Sequence, residues 1–128
     1  MKGLISFQEM KERYERGEDP FALTLEKWVR IKNYLNVTKE IGYPELIKLL
    51  EAVMMKIPFC FEYESNCNLC PLERLCQKFP STYHQILGLF HYLLATNAPL
   101  PKPYLIQLID KLMVEIEEAK KLWKKMLL

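Results

Sequence analysis

The sequence predicts an all-α domain of about five helices, with a four-cysteine loop between the third and the fourth. Three observations predict it. Apolar residues recur at helical spacing in five segments, and no segment alternates with the period of a strand. Gly and Pro punctuate the chain between those segments, at Gly17-Glu-Asp-Pro20, Gly42-Tyr43-Pro44, Pro58 and Asn97 to Pro103. All four cysteines fall between Cys60 and Cys76, in the spacing C-x6-C-x2-C-x5-C. The 128 residues suit one domain spanning 1–128, and half of them are apolar, enough for a core.

Ser6-Phe-Gln-Glu9 reads as a capping box that starts the first helix, which runs to about Arg16 and stops at Gly17. Phe7, Met10 and Tyr14 are its inward set, and its mixed charges form a solvated face. Gly17 to Pro20 is a turn. Thr24 is the expected cap of a second helix from Leu25 to about Leu35, with Leu25, Trp28, Val29, Ile31 and Leu35 inward. Trp28 is of a type that stacks on nucleobases, but at this spacing it reads as core. Pro44 opens the third helix, Glu45 suits its positive end, and Pro58 is the expected stop. The breadth of its apolar face, Leu46 through Ile57, makes it central, so Cys60 is expected to hang directly from a core helix.

Ser81, after Pro80, caps the fourth helix, which runs to about Ala95. Tyr83, Ile86, Leu87, Phe90, Leu93 and Leu94 face inward, with Leu89 and Tyr92 widening the stripe. His84 and His91 share a face seven residues apart, whereas one metal on one helix favours ligands three or four apart, so they read as partly exposed side chains. Asn97 to Pro103 is a stiff linker. The fifth helix runs from about Pro103 to the end of the chain. Leu105, Ile109, Leu112, Ile116, Ala119, Trp123 and Met126 follow a heptad seam. Packing in the bundle explains the seam, and so does pairing with a partner helix or a second copy. Lys120, Lys121, Lys124 and Lys125 crowd the last turns, where they compensate the helix dipole or form a basic patch for nucleic acid.

Four thiolates this close in sequence can converge on one point. Cys67-x-x-Cys70 aims two sulfurs the same way. A helical turn led by Pro71 brings Cys76 back toward them, and Cys60 closes the set across a six-residue loop. Three chemistries compete for them: an iron–sulfur cluster, a structural zinc, and two disulfides. Phe59, Phe61 and Tyr63 alternate around Cys60, where they shield a cofactor or pack the loop onto the core. Arg74 and Lys78 flank the last cysteines as surface charges.

The spacing, with the run Cys67-Asn-Leu-Cys70-Pro-Leu before Cys76, resembles the cluster loop of the endonuclease III and adenine-glycosylase family of DNA repair enzymes. The resemblance implies a [4Fe–4S] cluster ligated by Cys60, Cys67, Cys70 and Cys76, and it covers about twenty residues of the chain. Zinc, or disulfides with no cofactor, are the alternatives. The family also carries a Gly-rich helix-hairpin-helix turn and a catalytic Asp. Here Gly3, Gly17, Gly42 and Gly88 are isolated, and Asp19 and Asp110 follow no such turn, so glycosylase activity is not carried over.

The formal net charge is +2, and four ligated thiolates with their metal bring the loaded protein near neutrality, which argues against a strongly electrostatic nucleic-acid binder. Lys and Glu dominate the charges while Asp is scarce, a thermophile-like bias. No long apolar segment or signal-like start is apparent, so a cytoplasmic location and no membrane are expected. No nucleophile elbow, P-loop, H-E-x-x-H or dinucleotide fingerprint is present. The expected role is that of a small iron–sulfur helical protein with a structural or interaction role. The alternatives are an electron-transfer or redox subunit, and a zinc- or disulfide-stapled protein that oligomerises through Leu105, Ile109, Leu112, Ile116 and Trp123.

Overall fold

In the computed structural model, residues 3–62, 70–76 and 81–127 are described, without the side chains of Phe61, Glu62, Arg74, Cys76 and Leu127. They form seven helical segments and no strand: α1 (Phe7–Glu15), α2 (Pro20–Val37), α3 (Tyr43–Met54), α4 (Pro58–Glu62), α5 (Glu73–Cys76), α6 (Thr82–Thr96) and α7 (Lys102–Leu127). The five longer ones are the five expected from the sequence; α4 and α5 are single turns on either side of the cysteine loop. The all-α class is as expected.

The four longest helices close a ring, with α2 on α7, α7 on α6, α6 on α3 and α3 back on α2. Each contributes one apolar stripe to a shared core: Trp28, Ile31 and Leu35 from α2; Leu49 and Val53 from α3; Ile86, Phe90 and Leu93 from α6; and Leu105, Ile109, Leu112 and Ile116 from α7. Removing these stripes from water is the main drive for folding. α1 lies across α2 and α4, with Met10 fully buried beneath it.

Local signals explain most of the boundaries. Ser6 Oγ accepts the Glu9 N–H at 3.0 Å, and Gly17, at φ +93°, supplies the left-handed residue that ends α1. Glu9 does not complete the reciprocal half of a capping box; its carboxylate turns instead to Arg30 and Arg13. Asn97 ends α6 in the left-handed region, at φ 56°. Ser81 caps α6 by accepting the His84 N–H at 3.2 Å.

Several expectations are corrected. α2 starts five residues before Leu25, at Pro20, because Asp19 caps it: its carboxylate accepts the Phe21 N–H at 3.3 Å, and Pro20 fits the first helical position. Thr24 is therefore inside the helix and buried, its hydroxyl donating to the Pro20 carbonyl at 2.8 Å. α3 ends at Met54 rather than running to Pro58, and Cys60 sits on the separate turn α4 rather than on a core helix. Phe7, Val29 and Tyr92 point to solvent, as does Met126, which is 78% exposed at the end of the expected seam.

Candidate metal centre

The described ends of the cysteine segment lie on two short helices fixed beside the bundle by buried side chains, Pro58 and Phe59 on α4 and Leu72 just before α5. On α4, Phe59 is buried and meets Phe21 of α2 edge-on, ring centroids 4.8 Å apart. That contact places the next residue, Cys60, half-buried beside the core, its N–H donating to the Ile57 carbonyl at 2.8 Å. On the other side, Leu72 is 2% exposed and pins the turn that precedes α5, and α5 packs on α6. Cys70 opens that turn: its carbonyl accepts the Glu73 N–H at 3.1 Å, and its Sγ accepts the Leu72 N–H at 3.4 Å. The helical turn expected after Pro71 is present, and it ends at Cys76.

Cys60 is a free thiol rather than half of a disulfide. Cys67 and the side chain of Cys76 lie outside the described residues, as do the side chains of Phe61, Tyr63, Arg74 and Lys78. Among the described residues no three metal-binding side chains converge. Cys70 Sγ receives a backbone N–H, the type of contact that stabilises a metal-bound thiolate and tunes cluster potential. Cys60 borders an apolar chamber. The two sulfurs fit a thiolate-ligated cluster, and they fit zinc equally well.

The chamber holds about 220 Å³ and is walled by Trp28 of α2, Ile57, Leu72 and Leu75 near the cysteines, Tyr83 of α6, and Leu112 and Ile116 of α7. Tyr83 lies edge-on to Trp28 at 6.4 Å, and its hydroxyl donates to the Val53 carbonyl at 3.5 Å. Lys27 is the buried cation of this wall, 3% exposed. Its Nζ donates to the Val53 carbonyl at 2.8 Å and the Met55 carbonyl at 3.0 Å, and it stands 5.0 Å from the centre of the Trp28 ring. Those carbonyls belong to the end of α3, where the last turn leaves oxygens without helical donors and the helix dipole favours a cation. Lys27 thus closes the end of α3 and fixes the start of the connection to Cys60. Its inward position was legible: Lys27 precedes Ile31 by four residues and shares the face of Trp28 and Leu35.

A second polar cluster holds α1 against α2. Arg13 reaches Glu26 at 2.6 Å and Glu18 at 2.7 Å; Arg30, 6% exposed, reaches Glu26 at 2.5 Å and Glu9 at 2.8 Å. The hydrogen bond from Arg30 holds Glu9 below the usual carboxylate range, the bond from Arg13 does the same for Glu26 and Glu18, and both guanidiniums are held more firmly protonated in turn. Each carboxylate of this cluster meets a guanidinium of the same chain, which makes it a clamp between α1 and α2.

His84 is half-buried at the start of α6, its Nδ1 2.7 Å from Ser81 Oγ, while His91 is exposed. On α7, Leu105, Ile109, Leu112 and Ile116 are buried in the chain's own core, and Trp123 is partly buried against it. Lys120 pairs with Asp19 at 3.6 Å. No helix among the described residues is long and apolar enough to cross a membrane. A scan against protein-family models, a search of curated proteins and a search of solved structures each find no match to this chain.

Proposed function

We propose that Cys60, Cys67, Cys70 and Cys76 ligate a [4Fe–4S] cluster, and that the protein is a small cytoplasmic iron–sulfur bundle with a structural or interaction role. The observation that carries this is the four-cysteine spacing, with its likeness to the repair-enzyme cluster loop. The free thiol of Cys60, the Leu72 N–H on Cys70 Sγ and the apolar chamber beside Cys60 support it. When bound, the cluster supplies a rigid cross-link between α4 and α5 and a one-electron centre. This chain's own residues do the rest. Phe59 and Leu72 hold the two flanking turns to the core, the Leu72 amide stabilises thiolate charge, and Trp28, Tyr83 and Leu75 keep water from one side of Cys60.

Purification without oxygen tests the cofactor. About four irons and four acid-labile sulfides per chain, with a brown colour, are expected. A colourless protein with one zinc makes the loop a zinc knuckle, and a metal-free protein without free thiols makes it a disulfide staple. A colour that bleaches reversibly under mild reductant assigns the redox role in place of the structural one. Mobility shift across a salt series tests nucleic acid as the partner: no shift at low salt removes it.

A further inference from the structure

α7 outruns the bundle. Lys32 pairs with Asp110 at 2.7 Å and Asp19 with Lys120 at 3.6 Å, so α7 runs antiparallel to α2 and meets the first turn of α2 at Lys120. The residues that follow have no α2 beside them, and Leu122 and Met126 are 59% and 78% exposed. With about 100° of rotation per residue, Glu115, Glu118, Leu122 and Met126 fall on one stripe of α7. That stripe is one wall of a groove of about 870 Å³; Cys70, Pro71, Glu73 and Leu75 are the other.

The groove is apolar within and acidic at its rim, where Glu73, Glu115 and Glu118 stand. Glu115 Oε1 is buried and has no hydrogen-bond partner among the described residues. A buried carboxylate oxygen without a donor is costly, and a donor arriving from outside relieves it. The same helix end carries the complement. Lys121 and Lys125 flank the stripe on its Glu118 side, next to the exposed Leu122.

We infer that the occupant of the groove is a second copy of this chain. The two α7 ends cross antiparallel near Lys120. Each lays Leu122 and Met126 into the other's groove, with Lys125 within reach of the partner's Glu115 and Lys121 within reach of the partner's Glu118. The pairing is self-complementary, as a twofold interface requires. It leaves Leu105, Ile109, Leu112 and Ile116 in their own core and uses the stripe of α7 from Glu115 to Met126 that lines the groove. It also places the partner's helix end over Cys70. This rests on the interaction role proposed above, whose partner it names, and is independent of which metal the cysteines hold.

Sedimentation of the purified holoprotein, from micromolar to near-millimolar concentration at low salt, is expected to show the mass move from one chain to two. Leu122→Glu holds it at one chain. The pair Lys121→Glu with Lys125→Glu, and the pair Glu115→Lys with Glu118→Lys, are each one chain alone and form a two-chain species when mixed. Unchanged helicity and iron content in every variant separate a failed interface from a failed fold or a failed cofactor site. One-chain mass for the unaltered protein at every concentration overturns the inference, as does a dimer indifferent to all these changes. A one-chain protein that binds a DNA duplex or anionic phospholipid vesicles through Lys121 and Lys125 overturns it in favour of that partner.

Discussion

The α1–α2 clamp and the cysteine flank are both built from chemically demanding groups, and they meet those demands in opposite ways. In the clamp, two arginines and three glutamates answer one another, and every charge has its partner within the chain. At the cysteine flank, Cys60 is a free thiol, Glu115 keeps a buried oxygen without a donor among the described residues, and Leu122 and Met126 face water. Ion pairs that close on themselves stabilise a fold and leave nothing to recruit. A free thiol and an orphaned carboxylate oxygen are the features on which the proposed metal and the proposed partner rest.

Substitutions should separate the two regions. The largest effect is expected for Phe59→Ala, which removes a buried ring that ties α4 to α2. It should cost about 3–5 kcal/mol in chemical denaturation and lower iron content together with stability. Arg30→Met should cost about 2 kcal/mol by breaking charged hydrogen bonds to Glu9 and Glu26, and leave iron content unchanged. Lys27→Met leaves the Val53 and Met55 carbonyls without their buried donor, at about 1–3 kcal/mol, and should loosen the cofactor as well, since the chain leads from there to Cys60.

Acid sharpens the same contrast. Glu9 and Glu26 have pKa values depressed by the arginines, so they bind protons more weakly in the folded chain than in the unfolded one. The stability they contribute is complete above the unfolded carboxylate pKa of about 4.3 and is lost as pH falls through their lower folded values. Denaturation midpoints should therefore drop below about pH 4, and drop less steeply in Arg30→Met. The smallest effect is expected for His91→Ala: exposed on α6, it should change stability by no more than about 0.5 kcal/mol and leave iron content unaltered.

Helical periodicity made the bundle legible because its stripes are long: Leu105 to Ile116 and Ile86 to Leu93 each span two turns or more of uninterrupted core. The start of α2 is not legible because Asp19-Pro20 reads equally as a turn and as a cap followed by a first helical residue; Asp19 accepting the Phe21 N–H decides it. The end of α3 is not legible because Ile57 keeps the apolar pattern going after the helix has stopped, buried by the turn rather than by helical register. The cysteine segment stands out by its spacing, and the cofactor read from that spacing is the proposal made above. The clamp and the groove were not, because Arg13 with Glu26, and Cys70 with Glu118, are joined by tertiary packing that one-dimensional periodicity does not carry.

Amide hydrogen exchange on anaerobically purified protein, before and after chelation of the proposed metal, tests the contrast most directly. The expected result is a local change: α4, α5 and the last turns of α7 lose protection on chelation, while α1 and the facing part of α2 keep theirs. Protection that is unchanged everywhere, or lost uniformly through the bundle, would contradict a self-sufficient clamp beside a flank completed from outside.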